Sequence, residues 1–144
     1  MEIFISVEQA LEMLTPKTLV IVVDTHSPDF VESPELLARA KNVVVIDHHR
    51  MMVNHITNSA VFYHEPYASS TAEMVTELVQ YIGNTVLAKE EADALLAGIM
   101  LDTKKFSSRV TSRTFDVSSY LRTRGSDRVA IQDISATDFD EDRE

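Results

Sequence analysis

Val43-Val44-Val45-Ile46-Asp47-His48-His49-Arg50 joins four consecutive β-branched residues to four ionisable ones. So short an apolar run, bounded on both sides by polar residues, suits a strand covered on both faces, as in a parallel sheet. The ionisable string begins where that strand should end. Upstream, Leu19-Val20-Ile21-Val22-Val23 repeats the pattern and runs into Asp24-Thr25-His26. Between the two, Ser33-Pro34-Glu35 offers an N-cap with proline at the first helical position, so a helix is expected through about Ala40. Strand, helix and strand within about 30 residues form a βαβ unit. Both strands are expected to be central.

Working outward, Ser6-Val7-Glu8-Gln9 fits a capping box, and the segment from Met1 to Leu14 is expected to hold a short helix. Ala60-Val61-Phe62-Tyr63 is a third candidate strand. Ser70-Thr71-Ala72-Glu73 then caps a helix carrying Val75, Leu78, Val79 and Ile82, which ends near Gly83. Lys89 to about Leu101 reads as another helix, and its Ala-Leu-Leu-Ala-Gly centre implies burial on most sides. A last helix is expected from about Thr114 to Arg124, stopped by Gly125. The class is therefore α/β, a parallel sheet with flanking helices, in one domain without an internal boundary.

Composition limits what such a domain can do. With 144 residues, 44% hydrophobic and 25% charged, the chain is ordinary for a globular domain. Its longest apolar run is far below the roughly 20 residues that cross a bilayer, so no membrane contact is expected of this segment. The absence of cysteine removes disulfides, thiol nucleophiles and zinc-thiolate sites. A net charge of −10 argues against a long nucleic acid, whose binding depends on neutralised phosphates. A small phosphorylated ligand held through metal ions stays compatible. Part of the charge is local: Asp138, Asp140, Glu141, Asp142 and Glu144 against Arg143 contribute −4 and read as a solvated terminus.

In an open parallel sheet, ligands gather at the carboxyl ends of the strands. Asp24 and the Asp47-His48-His49 group should meet there. Carboxylate and imidazole donors without thiolate suit Mn²⁺, Mg²⁺ or Fe²⁺. Consecutive histidines leaving an extended strand should diverge, one toward metal and the other toward substrate. Asp102 is a further candidate ligand, since an anion at a helix C-terminus needs a compensating cation, supplied by Lys104 and Lys105 or by a metal. Arg50, Arg109 and Arg113 are candidates for bidentate phosphate contacts, and Ser70 opens a helix whose amides could hold an anion. His26, His55 and His64 are indistinguishable from packing or surface histidines.

The run from Val43 to Arg50 resembles the signature of the DHH phosphoesterases. Val-Val-Asp-Thr-His at 22–26 is similar to that family's second motif, and Ala-Gly-Ile-Met-Leu-Asp-Thr-Lys at 97–104 to its fourth. His-Glu-Pro-Tyr-Ala-Ser-Ser-Thr-Ala-Glu at 64–73, Ser-Pro-Glu-Leu-Leu at 33–37 and Arg-Thr-Phe at 113–115 bring the likeness closest to the GdpP/YybT branch of cyclic-di-AMP phosphodiesterases. The resemblance implies a site for two ions, usually manganese, bridged by Asp24. His48 and Asp102 would ligate the second ion, Asp47 would support His48, and His49 would approach the scissile phosphate.

It also implies hydrolysis of a cyclic dinucleotide to a linear 5′-phosphorylated one, in the cytoplasm, within a membrane-anchored parent. The family's first motif, His-x-x-x-Asp-x-Asp, follows none of the five histidines, and a glycine-rich C-terminal substrate domain is missing from residues 1–144. The chain is thus expected to be a partial DHH domain, inactive or nearly so alone. Short oligonucleotides are the alternative substrate, and a non-catalytic metal-binding or interaction module is the alternative role. Self-association is compatible with the sequence.

Overall fold

The computed structural model describes residues 3–125. They form two compact units, one ending at Pro66 and the other starting at Tyr67. The sequence shows no such boundary, because Glu65-Pro66-Tyr67 lacks the glycine and serine run that marks a linker. Each unit has its own apolar core. The acidic run at 138–144 lies outside the described residues.

The first unit contains helix α1 (Val7–Met13), strand β1 (Leu19–Val23), helix α2 (Pro34–Arg39) and strands β2 (Asn42–Asp47) and β3 (Val61–His64). Ser6 and Gln9 close the expected capping box on α1, and Ser33 Oγ accepts the Leu36 amide at the start of α2. The sheet order is β1-β2-β3, parallel throughout. Val23 pairs with Ile46 and Asp47 with His64, so three strand ends lie side by side. Leu37, Ala40, Val43, Val45 and Ile56 form the core, joined by Val20, Val22 and Phe62.

The two expected central strands differ. β2 lies between its neighbours and is buried on both faces through Val43, Val45 and Ile46. β1 is an edge strand among the described residues, and Leu19, Ile21 and Val23 remain 53, 54 and 51% exposed. A wholly apolar run carries no information on which neighbour it will have, and position in the sheet decides this.

The second unit packs α3 (Thr71–Ile82), α4 (Lys89–Asp102) and α5 (Ser112–Thr123) around Ala92, Leu96, Ile99, Met100, Val117 and Leu121. Gly98 lets α3 and α4 approach closely, since a Cβ there would stand 3.0 Å from the Ala72 Cβ. The α3 helix ends at Gly83, whose φ of 77° glycine adopts without a Cβ penalty, and the Asn84 amide closes a tight turn onto Ile82 O at 2.9 Å. Glu73 is fully buried and ties α3 to α5: it accepts the Ser69 hydroxyl at 2.9 Å and the hydroxyl of Thr114. No helix among the described residues is long and apolar enough to cross a membrane.

Candidate metal centre

The β1 ladder continues one residue past the strand, because the Asp24 amide donates to Ile46 O at 3.0 Å. Asp24 itself adopts φ 65°. That left-handed conformation costs a residue with a Cβ about 1–2 kcal/mol, and aspartate is among the few that visit it. The backbone thus turns sharply at the carboxyl end of the sheet, where strain commonly accompanies function. From this turn Asp24 Oδ1 lies 3.8 Å from His48 Nε2 and 3.9 Å from His49 Nδ1.

Asp24, His48 and His49 each offer a donor atom within 4.8 Å of the others. The two consecutive histidine rings thus lie side by side at the strand end, both close to Asp24. Their ring centroids are 4.5 Å apart, because β2 ends at Asp47 and the pair sits in a turn, not on a pleated strand. Donors about 2.1 Å from one ion lie about 3.0–3.4 Å apart at octahedral or tetrahedral angles, so Asp24 and His48, 3.8 Å apart, could share a cation after drawing together by several tenths of an ångström.

Beneath the trio, Asp47 is fully buried and accepts from both sides. Its Oδ1 takes the His48 amide at 2.9 Å, the His49 amide at 3.3 Å and His49 Nδ1 at 2.7 Å. Its Oδ2 lies 2.6 Å from His26 Nδ1. Burial alone would raise the Asp47 pKa, but the bonds from His26 and His49 outweigh it and hold the carboxyl below its ordinary value. The ring bonds of Asp47 thus run to His49 and His26, while His48 gives it a backbone amide.

Of the other candidates, Arg50 follows the trio in the first unit and is exposed. Ser70, Asp102, Arg109 and Arg113 belong to the second unit. Ser70 is the N-cap of α3, accepting the Glu73 amide at 3.0 Å. Asp102 is the last residue of α4, followed by Lys104, Lys105 and Phe106 with φ 49°, 58° and 66°. Arg109 is exposed and also left-handed, with φ 59°. Arg113 is engaged: its Nε and Nη2 donate to Glu77 Oε1 at 3.1 and 2.7 Å, bridging α5 and α3.

Two residues that sequence reasoning set aside belong to this centre. His26 is buried against Asp47, and His64 Nε2 lies 2.5 Å from His49 O. The signal for His64 was available, since a parallel third strand extended by one residue ends on it. Nothing local distinguishes His26, whose partner is 21 residues away.

Comparison with known proteins places these features in a lineage. The model of the DHH family, N-terminal domain, matches residues 2–99. Over 126 residues the chain is 56% identical to cyclic-di-AMP phosphodiesterase GdpP of Geobacillus thermodenitrificans, covering 87% of this chain and 19% of that protein. Over 131 residues it is 50% identical to cyclic-di-AMP phosphodiesterase PdeA of Listeria monocytogenes, covering 90% and 20%. The chain thus spans about a fifth of the length of these relatives. An exopolyphosphatase-related protein from Bacteroides fragilis has a similar fold, with TM-score 0.70, 23% identity and coverage of 78% of this chain and 34% of that one. Sheet, strand-end cluster and matched motifs agree, and the chain belongs to the DHH family.

Proposed function

We propose that this chain is part of a Mn²⁺-dependent phosphodiesterase that opens cyclic-di-AMP to a linear dinucleotide bearing a 5′-phosphate. The observation that carries the site is the Asp24-His48-His49 trio at the strand ends. The substrate is taken from the relatives that are 56 and 50% identical and bear that activity in their names. Mixed carboxylate and imidazole donors without thiolate support manganese or a similar cation over structural zinc.

In this reading Asp24 and His48 hold the cation, and the likeness of residues 97–104 to the fourth family motif makes Asp102 a candidate ligand. A cation held there would supply a water of lowered pKa and offset the charge of the phosphoryl oxygens. The water oxygen bonds to phosphorus, the bond from phosphorus to the 3′ oxygen breaks, and that oxygen leaves with a proton as the 3′ hydroxyl. Asp47 supports the trio from below, and His49 faces the scissile phosphate. Arg50, Ser70 and Arg109 contribute to phosphate binding. Arg113 already commits its Nε and Nη2 to Glu77.

A dinuclear centre needs more donors than this trio supplies, so the chain alone should bind Mn²⁺ yet turn over little substrate. Calorimetric titration with Mn²⁺, alongside hydrolysis assays on cyclic-di-AMP and a linear dinucleotide, tests the proposal. Binding lost in Asp24→Ala and His48→Ala, with at most slow opening of cyclic-di-AMP, is expected. No Mn²⁺ binding, or faster cleavage of the linear dinucleotide, would overturn the metal or the substrate assignment respectively. Binding without any turnover, also in a longer parent, would leave a metal-binding module.

A further inference from the structure

His26 is a buried ionisable side chain that the proposed chemistry does not use. It lies two residues beyond Asp24, and both of its ring nitrogens are spoken for. Nε2 is 2.9 Å from the Met52 amide nitrogen. A peptide N–H only donates, so Nε2 must be the unprotonated acceptor. Nδ1 then carries the hydrogen and donates to Asp47 Oδ2 at 2.6 Å. His26 O also accepts the Ile56 amide at 2.8 Å, so this residue joins the turn after β1 to the 52–56 segment. With both nitrogens committed, the ring has no lone pair for a metal and no proton to exchange with a substrate.

The same logic passes to His49. Its Nδ1 is 2.7 Å from Asp47 Oδ1. Asp47 Oδ1 already accepts the His48 and His49 amides, so it faces His49 Nδ1 as an acceptor; Nδ1 therefore donates, and any lone pair of that ring is on Nε2. Which oxygen of Asp47 faces His49 depends on what fixes the carboxylate plane. His26 holds one oxygen from the far side, and the His48 and His49 amides hold the other.

We infer that His26 is a positioning residue: locked as the Nδ1–H tautomer between Asp47 and the Met52 amide, it aims the Asp47 carboxylate so that His49 keeps Nδ1–H on Asp47 and Nε2 basic. The inference rests on the metal-site reading only for its consequence, because the geometry stands without an ion. It separates two jobs that one ring performs. An asparagine amide nitrogen superposes on Nδ1 and can still donate to Asp47. A glutamine side chain reaches the Nε2 position and can still accept from Met52. His26→Asn thus keeps the aiming contact and loses the tie to the loop, whereas His26→Gln does the reverse.

Long-range ¹H–¹⁵N spectra of the 144-residue chain without metal report the tautomer of each histidine. In the wild type, His26 and His49 should both read as Nδ1–H with an unprotonated Nε2. His26→Asn should preserve the His49 pattern, and His26→Gln should convert it to a mixture of tautomers. The Mn²⁺ affinity should fall at least about tenfold in His26→Gln and less in His26→Asn, the size usual for residues that orient ligands. A wild-type spectrum with Nε2–H on either ring would overturn the inference even if neither variant folds. So would a His26→Gln protein that keeps the wild-type His49 pattern while His26→Asn loses it, which would make His26 a loop tie only. Failure of the wild type to bind Mn²⁺ would defeat the proposed function, and the tautomer measurement would still decide the role of His26.

Discussion

Replacing Asp47 by asparagine preserves shape and changes one oxygen into an amide nitrogen, so its effect can be worked out from four hydrogen bonds. Three donors meet Oδ1, the His48 amide at 2.9 Å, the His49 amide at 3.3 Å and His49 Nδ1 at 2.7 Å, and His26 Nδ1 meets Oδ2 at 2.6 Å. The asparagine oxygen would stay with the three donors. Those bonds become neutral acceptor bonds, roughly half as strong as bonds to a carboxylate. The amide nitrogen would then face the His26 N–H, donor against donor, in a fully buried place. His26 cannot escape by moving its proton to Nε2, because the Met52 N–H points there.

An unmatched buried donor costs about 1–3 kcal/mol, and relief from burying the charge offsets part of the total. The expected loss is about 3 kcal/mol for the first unit. Hydrogen exchange of the β2 amides measures opening of that unit directly. The acid dependence has a definite sign. A carboxyl with a lowered folded pKa adds stability that is present above its unfolded value, about 3.9, and is lost as pH falls through the folded value. Wild-type protection should thus weaken below about pH 4, and Asp47→Asn should lack that component. A loss under about 1 kcal/mol, or an acid dependence unchanged by the substitution, would refute the account of Asp47.

At Gly98, alanine would gain up to about 1 kcal/mol of helix propensity but press its Cβ against Ala72 at 3.0 Å, where both atoms are fixed to helix backbones. A net loss of about 1 kcal/mol in urea unfolding is expected for Gly98→Ala. Adding Ala72→Gly should relieve the contact, so additive losses in the double variant would contradict it. Asp24 trades conformation for chemistry: at φ 65°, Asp24→Gly should unfold about 1 kcal/mol less readily than Asp24→Ala. Both should lose Mn²⁺ binding in calorimetry. Equal stabilities would mean that the turn is unstrained.

Local chemistry made much of this protein readable from its residues. Ser6, Ser33 and Ser70 cap helices where their side chains predict it, and Gly83 ends α3 with the positive φ that glycine permits. The apolar runs at 19–23 and 43–46 become parallel strands, and the ionisable residues after them meet at one sheet edge. These are short-range effects, written within a few residues of where they act.

The remainder depends on partners distant in sequence. That β1 would be an edge strand, that a boundary would fall at Pro66, that Arg113 would be taken by Glu77, and that both His48 and His49 would turn toward Asp24 are outcomes of packing. His26 shows the limit most clearly. As a residue in a row it could be a ligand, a base or a surface group. Only burial against Asp47 and the Met52 amide assigns its proton, because a tautomer is set by what faces each nitrogen and those neighbours are 21 and 26 residues away. By itself, then, the sequence determined the α/β class, the helix ends and the family. Tertiary structure decided which of the clustered side chains can give a lone pair and which only hold another in place.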